Sequence, residues 1–253
     1  MTADRIAIVT GSARGLGLAA AVALAKRGTR IVITYRGEPS RADGALDAVA
    51  VAGSEAIALQ LDVADVDSIQ QFAHALPAAL EARWGKREVD VLVNNAGVGR
   101  WGAVGEIAPD DLDALLDINV KGTILLTQAV VPHLVDGGSI ISISSMLTRR
   151  VTVGSAAYAA SKAAIETFAL GLALELGPRR IRVNTIAPGP TATDFNGGAM
   201  RDDDGMRDFL AANTAMGRVG EPEDIGEAIA TLATDGAAWI TAQRIEASGG
   251  ALI

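Results

Sequence analysis

The chain has no cysteine in its 253 residues, so no disulfide framework braces it. That suits a reducing compartment, and a cytoplasmic location is the expectation. Histidine occurs only as His74 and His133, far apart and outside any ligand spacing, so no metal site is expected. Aromatic residues make up 4% of the chain against 49% hydrophobic overall, which leaves Ala, Val, Ile and Leu to fill the core. A net charge of -8 without a basic block excludes the phosphate neutralisation on which nucleic-acid binding rests. Near the start, the apolar run Ile6 to Val9 is too short for the core of a signal peptide. No segment reads as a membrane span, so no membrane partner is expected.

What is present is alternation. Short aliphatic runs at residues 5–10, 30–35, 56–61, 89–94, 139–144, 181–187 and 244–247 read as strands. Between them, helical patterns cover 15–27, 42–52, 66–84, much of 109–135, 156–176 and 222–234. Pro77 is expected to kink or interrupt the third. Strand followed by helix demands a parallel sheet covered on both faces, and right-handed crossovers make it doubly wound. The reading is one α/β domain over 1–253, about seven strands with helices on both sides. Residues 191–217, rich in Gly and Asp, are expected to be the least ordered stretch and to act as a lid.

The chemistry-bearing motifs fall after strands. Thr10 to Gly17 reads TGSARGLG and joins the first strand to the first helix. Glycines there allow a tight turn and close approach of backbone to a pyrophosphate, which the helix N-terminus attracts. The second strand ends Tyr35-Arg36 with no acid at its tip, whereas an acid would grip the ribose 2′-hydroxyl of NAD. Arg14 and Arg36 suit a 2′-phosphate, so NADP is favoured over NAD, which stays possible. Tyr158 and Lys162 stand four apart in a helical pattern and so share a face. The ammonium is expected to lower the tyrosine pKa, equipping the phenol to trade a proton with a substrate oxygen. Ser145, thirteen residues upstream of the tyrosine, is placed to hold that oxygen.

TGSARGLG, Asp62 in LDV, NNAG at 94–97, Asn119-Val120, Ser145, Tyr158-x3-Lys162 and Pro188-Gly189 occur in this order. Together they resemble the classical short-chain dehydrogenase/reductase family along essentially the whole chain. The nearest likeness is to 3-oxoacyl-carrier-protein reductases and glucose dehydrogenases. The resemblance implies a Rossmann-type fold and reversible hydride transfer between a nicotinamide and a carbonyl/secondary-alcohol pair. It implies catalytic roles for Asn119, Ser145, Tyr158 and Lys162, with the Asn119 side chain holding a water that relays protons to Lys162. A cofactor site would comprise Gly11, Ser12, Arg14, Gly15, Leu16, Gly17, Tyr35, Arg36, Asp62, Val63, Asn94, Ala96, Gly97, Tyr158, Lys162, Pro188, Gly189, Thr191 and Thr193. It also implies a homotetramer acting on a small molecule.

Three positions depart from the family's habit: Ser142 where asparagine is frequent, Ala242 where glycine is usual, and Ser248 where aspartate is frequent. One rival reading is a catalytically silent NADP-binding regulator or scaffold; the complete Asn119/Ser145/Tyr158/Lys162 set argues against it. An epimerase or dehydratase of the extended branch is another, and the glycine spacing argues against that. Met146, Leu147, Val151 and Phe195 are candidate substrate contacts.

Overall fold

The aliphatic runs become seven strands of one parallel sheet in the computed structural model, which describes residues 5–252. In chain order the elements are β1 (Ile6–Val9), α1 (Gly15–Ala25), β2 (Arg30–Tyr35), α2 (Asp43–Val51), β3 (Ala56–Gln60), α3 (Val66–Trp84) and β4 (Val89–Asn94). They continue with α4 (Pro109–Ala114), α5 (Thr123–Val130), β5 (Leu134–Ile143), α6 (Ala156–Leu176) and β6 (Arg182–Pro188). The last are α7 (Ala199–Asp202), α8 (Asp204–Ala212), α9 (Pro222–Leu232) and β7 (Arg244–Ala247). Strand order is β3-β2-β1-β4-β5-β6-β7. The chain winds outward from β1 to β3, then returns to β4 on the other side of β1. That reversal opens a crevice at the carboxyl ends of β1 and β4.

Side chains alternate along each strand, so each strand feeds two cores. Ala7, Val9, Ile31, Ile33 and Ile141 join α1, α2 and α9 on one face. Ile6, Ile8, Val32, Leu92 and Ile140 join α3, α5 and α6 on the other. Burial on both sides explains why the strands are continuous apolar runs rather than polar-apolar alternations.

Three stretches differ from the sequence reading, each for a physical reason. First, α3 runs through Pro77 without a break. A proline removes one helical hydrogen bond, yet Ile69, Phe72, Leu76 and Leu80 are buried against the sheet and hold the helix. Second, the helical stretch from Pro109 to His133 is long and apolar enough to cross a bilayer, although no such segment was anticipated. In the fold it packs against α3 and α6, and it carries a π-helical stretch, Leu115–Gly122, between α4 and α5. Third, residues 191–217 hold helical turns rather than an irregular loop. The acidic run there starts α8: the Asp203 carboxylate accepts from the Met206 N–H at 3.0 Å, capping the helix.

The neck of this excursion is tight. Thr191 bridges Gly220, the Ala192 N–H donates to the Gly220 carbonyl at 2.9 Å, and the Gly220 N–H to the Pro190 carbonyl at 2.9 Å. Ala242 holds a φ of 57°, the left-handed region that the family's usual glycine enters freely. Leu170 and Leu174 of α6, Val153 and Trp239 are exposed.

Candidate active site

The first turns of α6 carry Tyr158 and Lys162 on its buried face, one helical turn apart. Lys162 Nζ donates to the Ile143 carbonyl at 2.9 Å, at the end of β5. Two residues later, Ser145 is extended (φ −158°, ψ 149°) and opens a 3-10 turn, Met146–Thr148. Its Oγ accepts from the Leu147 N–H at 3.2 Å and makes a hydrogen bond with the Tyr158 hydroxyl. Serine, tyrosine and lysine therefore converge as their spacing implied.

Their electrostatics differ from expectation. Burial pushes the Tyr158 phenol up to about 12, against the opposing pull of its hydrogen bond to Ser145. Burial also draws Lys162 down to about 8. The expected lowering of the tyrosine by the ammonium is thus overturned: desolvation opposes charge on both groups. The consequence is a phenol that keeps its proton at neutral pH, the state of an acid rather than of a base.

Asn119 sits in the π-helical stretch and is fully buried. Its Oδ1 accepts from the Val98 N–H at 2.8 Å, and its Nδ2 donates to the Val98 carbonyl at 2.9 Å and to Ser161 Oγ at 3.0 Å. Both amide protons are spent on protein, so the side chain is a clasp on the strand-end loop. The expected water-holding role is left one acceptor lone pair. Gly97 lies between this clasp and the lysine. A Cβ there would stand 3.0 Å from Asn119 Oδ1 and 3.2 Å from Lys162 Nζ, so any side chain would press on both groups.

The glycine-rich turn is locked from beneath. Ser12 Oγ donates to the Val9 carbonyl at 2.7 Å and accepts from the Thr34 N–H at 3.0 Å, so this hydroxyl joins β1 to β2. Thr10 Oγ1 accepts from the N–H groups of Asn95 and Ala96, both at 2.8 Å. Asn95 Nδ2 donates to the Thr10 carbonyl at 2.8 Å. A Cβ on Gly17 would come within 2.4 Å of the Gly11 carbonyl oxygen, which only glycine avoids. The N-terminus of α1 has neither a side-chain cap nor an acid in its first turn. Its N–H groups, flanked by Gly15 and Leu16, thus face an anion's place without a resident competitor. These features fit a dinucleotide pyrophosphate.

Other predicted cofactor residues line the same edge. Arg36 follows β2 and stands 4.0 Å from the Asp62 carboxylate, with most of its side chain exposed. Asp62 Oδ1 accepts from the Ala64 N–H at 3.0 Å, next to buried Val63, and Tyr35 is the last residue of β2. Arg14, also exposed, lies 3.9 Å from Asp194. Asn94 Nδ2 donates to Thr127 Oγ1 at 2.9 Å and Ser142 Oγ at 3.3 Å, a stitch between β4, α5 and β5, while its Oδ1 is buried without a hydrogen-bond partner. Pro188 ends β6 and Gly189 follows it. Thr191 Oγ1 donates to the Gly189 carbonyl at 3.0 Å, and Thr193 Oγ1 accepts from the Phe195 N–H at 3.2 Å.

Sequence reasoning missed Trp101, whose ring centroid lies 5.2 Å from that of Tyr158. Phe195 flanks the same phenol at 6.1 Å. The available signal was scarcity: in a chain with so few aromatics, one placed just after NNAG is informative. Glu166 and Arg244 were also missed. Glu166 stands one turn beyond Lys162 and takes the Ser144 hydroxyl, so Ser144 is the structural member of the serine pair.

The buried ammonium has a measurable signature. Its folded pKa, about 8, lies below the 10.5 of the exposed group. Across that window the unfolded chain holds the extra proton, so stability rises with pH. Lys162→Met is therefore expected to abolish that rise, its relief of the buried charge being offset in part by the Ile143 carbonyl it leaves unpaired. Chemical denaturation from pH 7 to 10.5 tests this, and a variant whose stability rises with pH as steeply as the parent's would refute it.

A family model described as enoyl-(acyl carrier protein) reductase matches residues 11–251. An uncharacterised oxidoreductase of Methylorubrum extorquens is 41% identical over 246 residues, 97% of each chain. A short-chain dehydrogenase/reductase from Serratia marcescens is 36% identical, with a TM-score of 0.88 and 98% of each chain covered. The landomycin C-6 ketoreductase LanV, solved with bound NADP and rabelomycin, is 33% identical with a TM-score of 0.88, covering 98% of this chain and 96% of that one. With the glycine-rich turn, the Ser145-Tyr158-Lys162 cluster and the all-parallel sheet, these matches establish that the chain belongs to the short-chain dehydrogenase/reductase family.

Proposed function

We propose that the protein is an NADPH-preferring reductase of ketones or aldehydes, with Tyr158 as general acid. The observation that carries this reading is the protonated, buried phenol hydrogen-bonded to Ser145 beside Lys162. The bound nicotinamide would supply hydride to the carbonyl carbon. The Ser145 hydroxyl donates to the carbonyl oxygen, and this contact strengthens as charge grows there. Tyr158 gives its proton to the same oxygen. Lys162, held under the Ile143 carbonyl, keeps a positive charge next to the developing phenolate. Gly11, Gly15, Leu16 and Gly17 would hold the pyrophosphate, Asp62 the adenine, and Arg14 and Arg36 a 2′-phosphate. Support for NADP comes from those exposed arginines, from the absence of an acid at the tip of β2, and from relatives such as LanV that bind it. Tyr158→Phe should cut NADPH oxidation roughly 10²–10⁴-fold with a carbonyl substrate. NADPH should outperform NADH in kcat/KM, with the gap closing in Arg36→Ala. Turnover unaffected by Tyr158→Phe would exclude the mechanism, and no turnover across a broad carbonyl panel would favour a silent NADP-binding scaffold.

The substrate reading follows from the rings beside the phenol. Trp101 and Phe195 present two aromatic walls at the reacting hydroxyl, which suit a flat, unsaturated cyclic ketone. LanV, the similar ketoreductase, was solved with rabelomycin bound. Stacking on such walls contributes about 0.5–1.5 kcal/mol per ring pair. 1-Tetralone should therefore exceed 1-decalone about tenfold in kcat/KM, and Trp101→Leu should narrow that ratio. Equal kcat/KM for the two ketones in the parent enzyme would discard the aromatic preference.

A homotetramer is proposed from Leu170 and Leu174, which leave part of α6 apolar and uncovered. Sedimentation at micromolar concentration should give four times the 25.9 kDa chain mass; a monomer would rule it out.

A further inference from the structure

Three successive residues at the end of β5 are each held by a different charged side chain. The Ile143 carbonyl accepts from Lys162 at 2.9 Å. The Ser144 hydroxyl donates to Glu166 Oε1. The Ser145 carbonyl accepts from Arg244 Nη2 at 3.2 Å. Glu166 and Arg244 are themselves an ion pair, with Arg244 Nε 2.8 Å from Glu166 Oε1 and side-chain exposures of 8% for the arginine and 19% for the glutamate. Thr148 Oγ1 sits among them, 2.9 Å from Glu166 Oε1 and 3.0 Å from the Ser145 carbonyl oxygen. Arg244 Nη1 donates to Glu246 Oε2 at 3.0 Å, and Ser248 Oγ to Glu246 Oε1 at 2.9 Å, which anchors the guanidinium on β7.

An ion pair this buried is poor value as stabilisation, because desolvating two charges offsets most of their attraction. What it does supply is direction. The guanidinium fork is planar and rigid, and here it spans from α6 to the backbone of one residue. That residue is Ser145, whose φ and ψ decide where its hydroxyl points. The peptide after the Ser145 Cα is thereby tied to β7 through Arg244, and the residue before it to α6 through the Ser144 hydroxyl, while the Ser145 hydroxyl faces the phenol.

We propose that Glu166 and Arg244 are positioning residues that aim the Ser145 hydroxyl at the substrate oxygen and the Tyr158 phenol. This rests on the reductase reading above, in which Ser145 touches the reacting oxygen. Neither residue contacts substrate in this scheme; both act through Ser145.

The test is a double-mutant cycle between Glu166→Gln and Ser145→Ala, read in kcat for NADPH-dependent reduction of 1-tetralone or whichever ketone turns over best. Gln keeps an oxygen for the Ser144 hydroxyl and removes the charge that holds Arg244 from the α6 side, leaving its pair with Glu246 in place. Glu166→Gln alone is expected to lower kcat about tenfold, within the ~10²-fold that an ångström of misplacement costs, while KM for NADPH moves less than twofold. In the Ser145→Ala background the same change should cost less than twofold, because its only route to the chemistry is gone. An equal fold-loss in both backgrounds, or no loss in the parent, overturns the proposal. If Glu166→Gln fails to fold, Arg244→Lys replaces it: the charge persists but the reach to the Ser145 carbonyl is lost, and the same cycle and criteria apply. Should Ser145→Ala itself leave kcat unchanged, the serine's role in the parent reading fails and the proposal fails with it. A normal Ser145→Ala deficit with an additive cycle fails the positioning proposal alone.

Discussion

A positive charge buried beneath the end of β5 is the constraint around which this molecule is organised. Lys162 is nearly inaccessible, and its ammonium reaches the Ile143 carbonyl across a gap that a side chain at residue 97 would close. Keeping a cation there is unfavourable, as its lowered pKa states. The surrounding parts follow from that placement. A long, alanine-rich helix brings the lysine in at the correct height, Asn119 clasps the Val98 backbone so that Gly97 stays close, and β5 ends with its carbonyl turned toward the ammonium. The same burial holds the proton on the neighbouring phenol, so desolvation moves the two pKa values in opposite directions, the lysine's down and the tyrosine's up.

Helix α6 sets the geometry of more than one layer. Residues 158, 162 and 166 follow at intervals of four and so rise along a single stripe. Tyr158 meets Ser145, Lys162 meets Ile143, and Glu166 meets Ser144, so the stripe is matched to a short piece of extended chain running beside it. β7 adds the Arg244 contact from the far side. The last strand of the sheet, remote in sequence from the serine, is thus in direct touch with it.

Much of this was legible in the residues. The strand-helix alternation gave every strand to within a few residues, except that β5 begins at Leu134, earlier than its apolar run implied. The converging Ser145, Tyr158 and Lys162 were visible from spacing alone. What could not be read was whatever depends on three-dimensional surroundings. Burial reversed the pKa argument for Tyr158, because proximity in sequence reports a partner but not the loss of water. Packing carried α3 through Pro77, and a single aspartate turned an acidic, loop-like run into the start of α8. Asn94, Asn95 and Ser12 carry polar groups that the sequence offers equally to a ligand or to the sheet, and their side chains are engaged by the protein. Glu166 and Arg244 lie 78 positions apart, and no local pattern links them.

The closed neck at Thr191 and Gly220 has an evolutionary corollary. The excursion leaves and rejoins the body through adjacent hydrogen bonds, and residues 213–216 are bonded in turn to residues 249–252 just after β7, so its distal end is anchored as well. Insertions or deletions inherited between the Thr191 neck and the Thr214 pairing cost little closure entropy, so that span can change while both of its anchors hold.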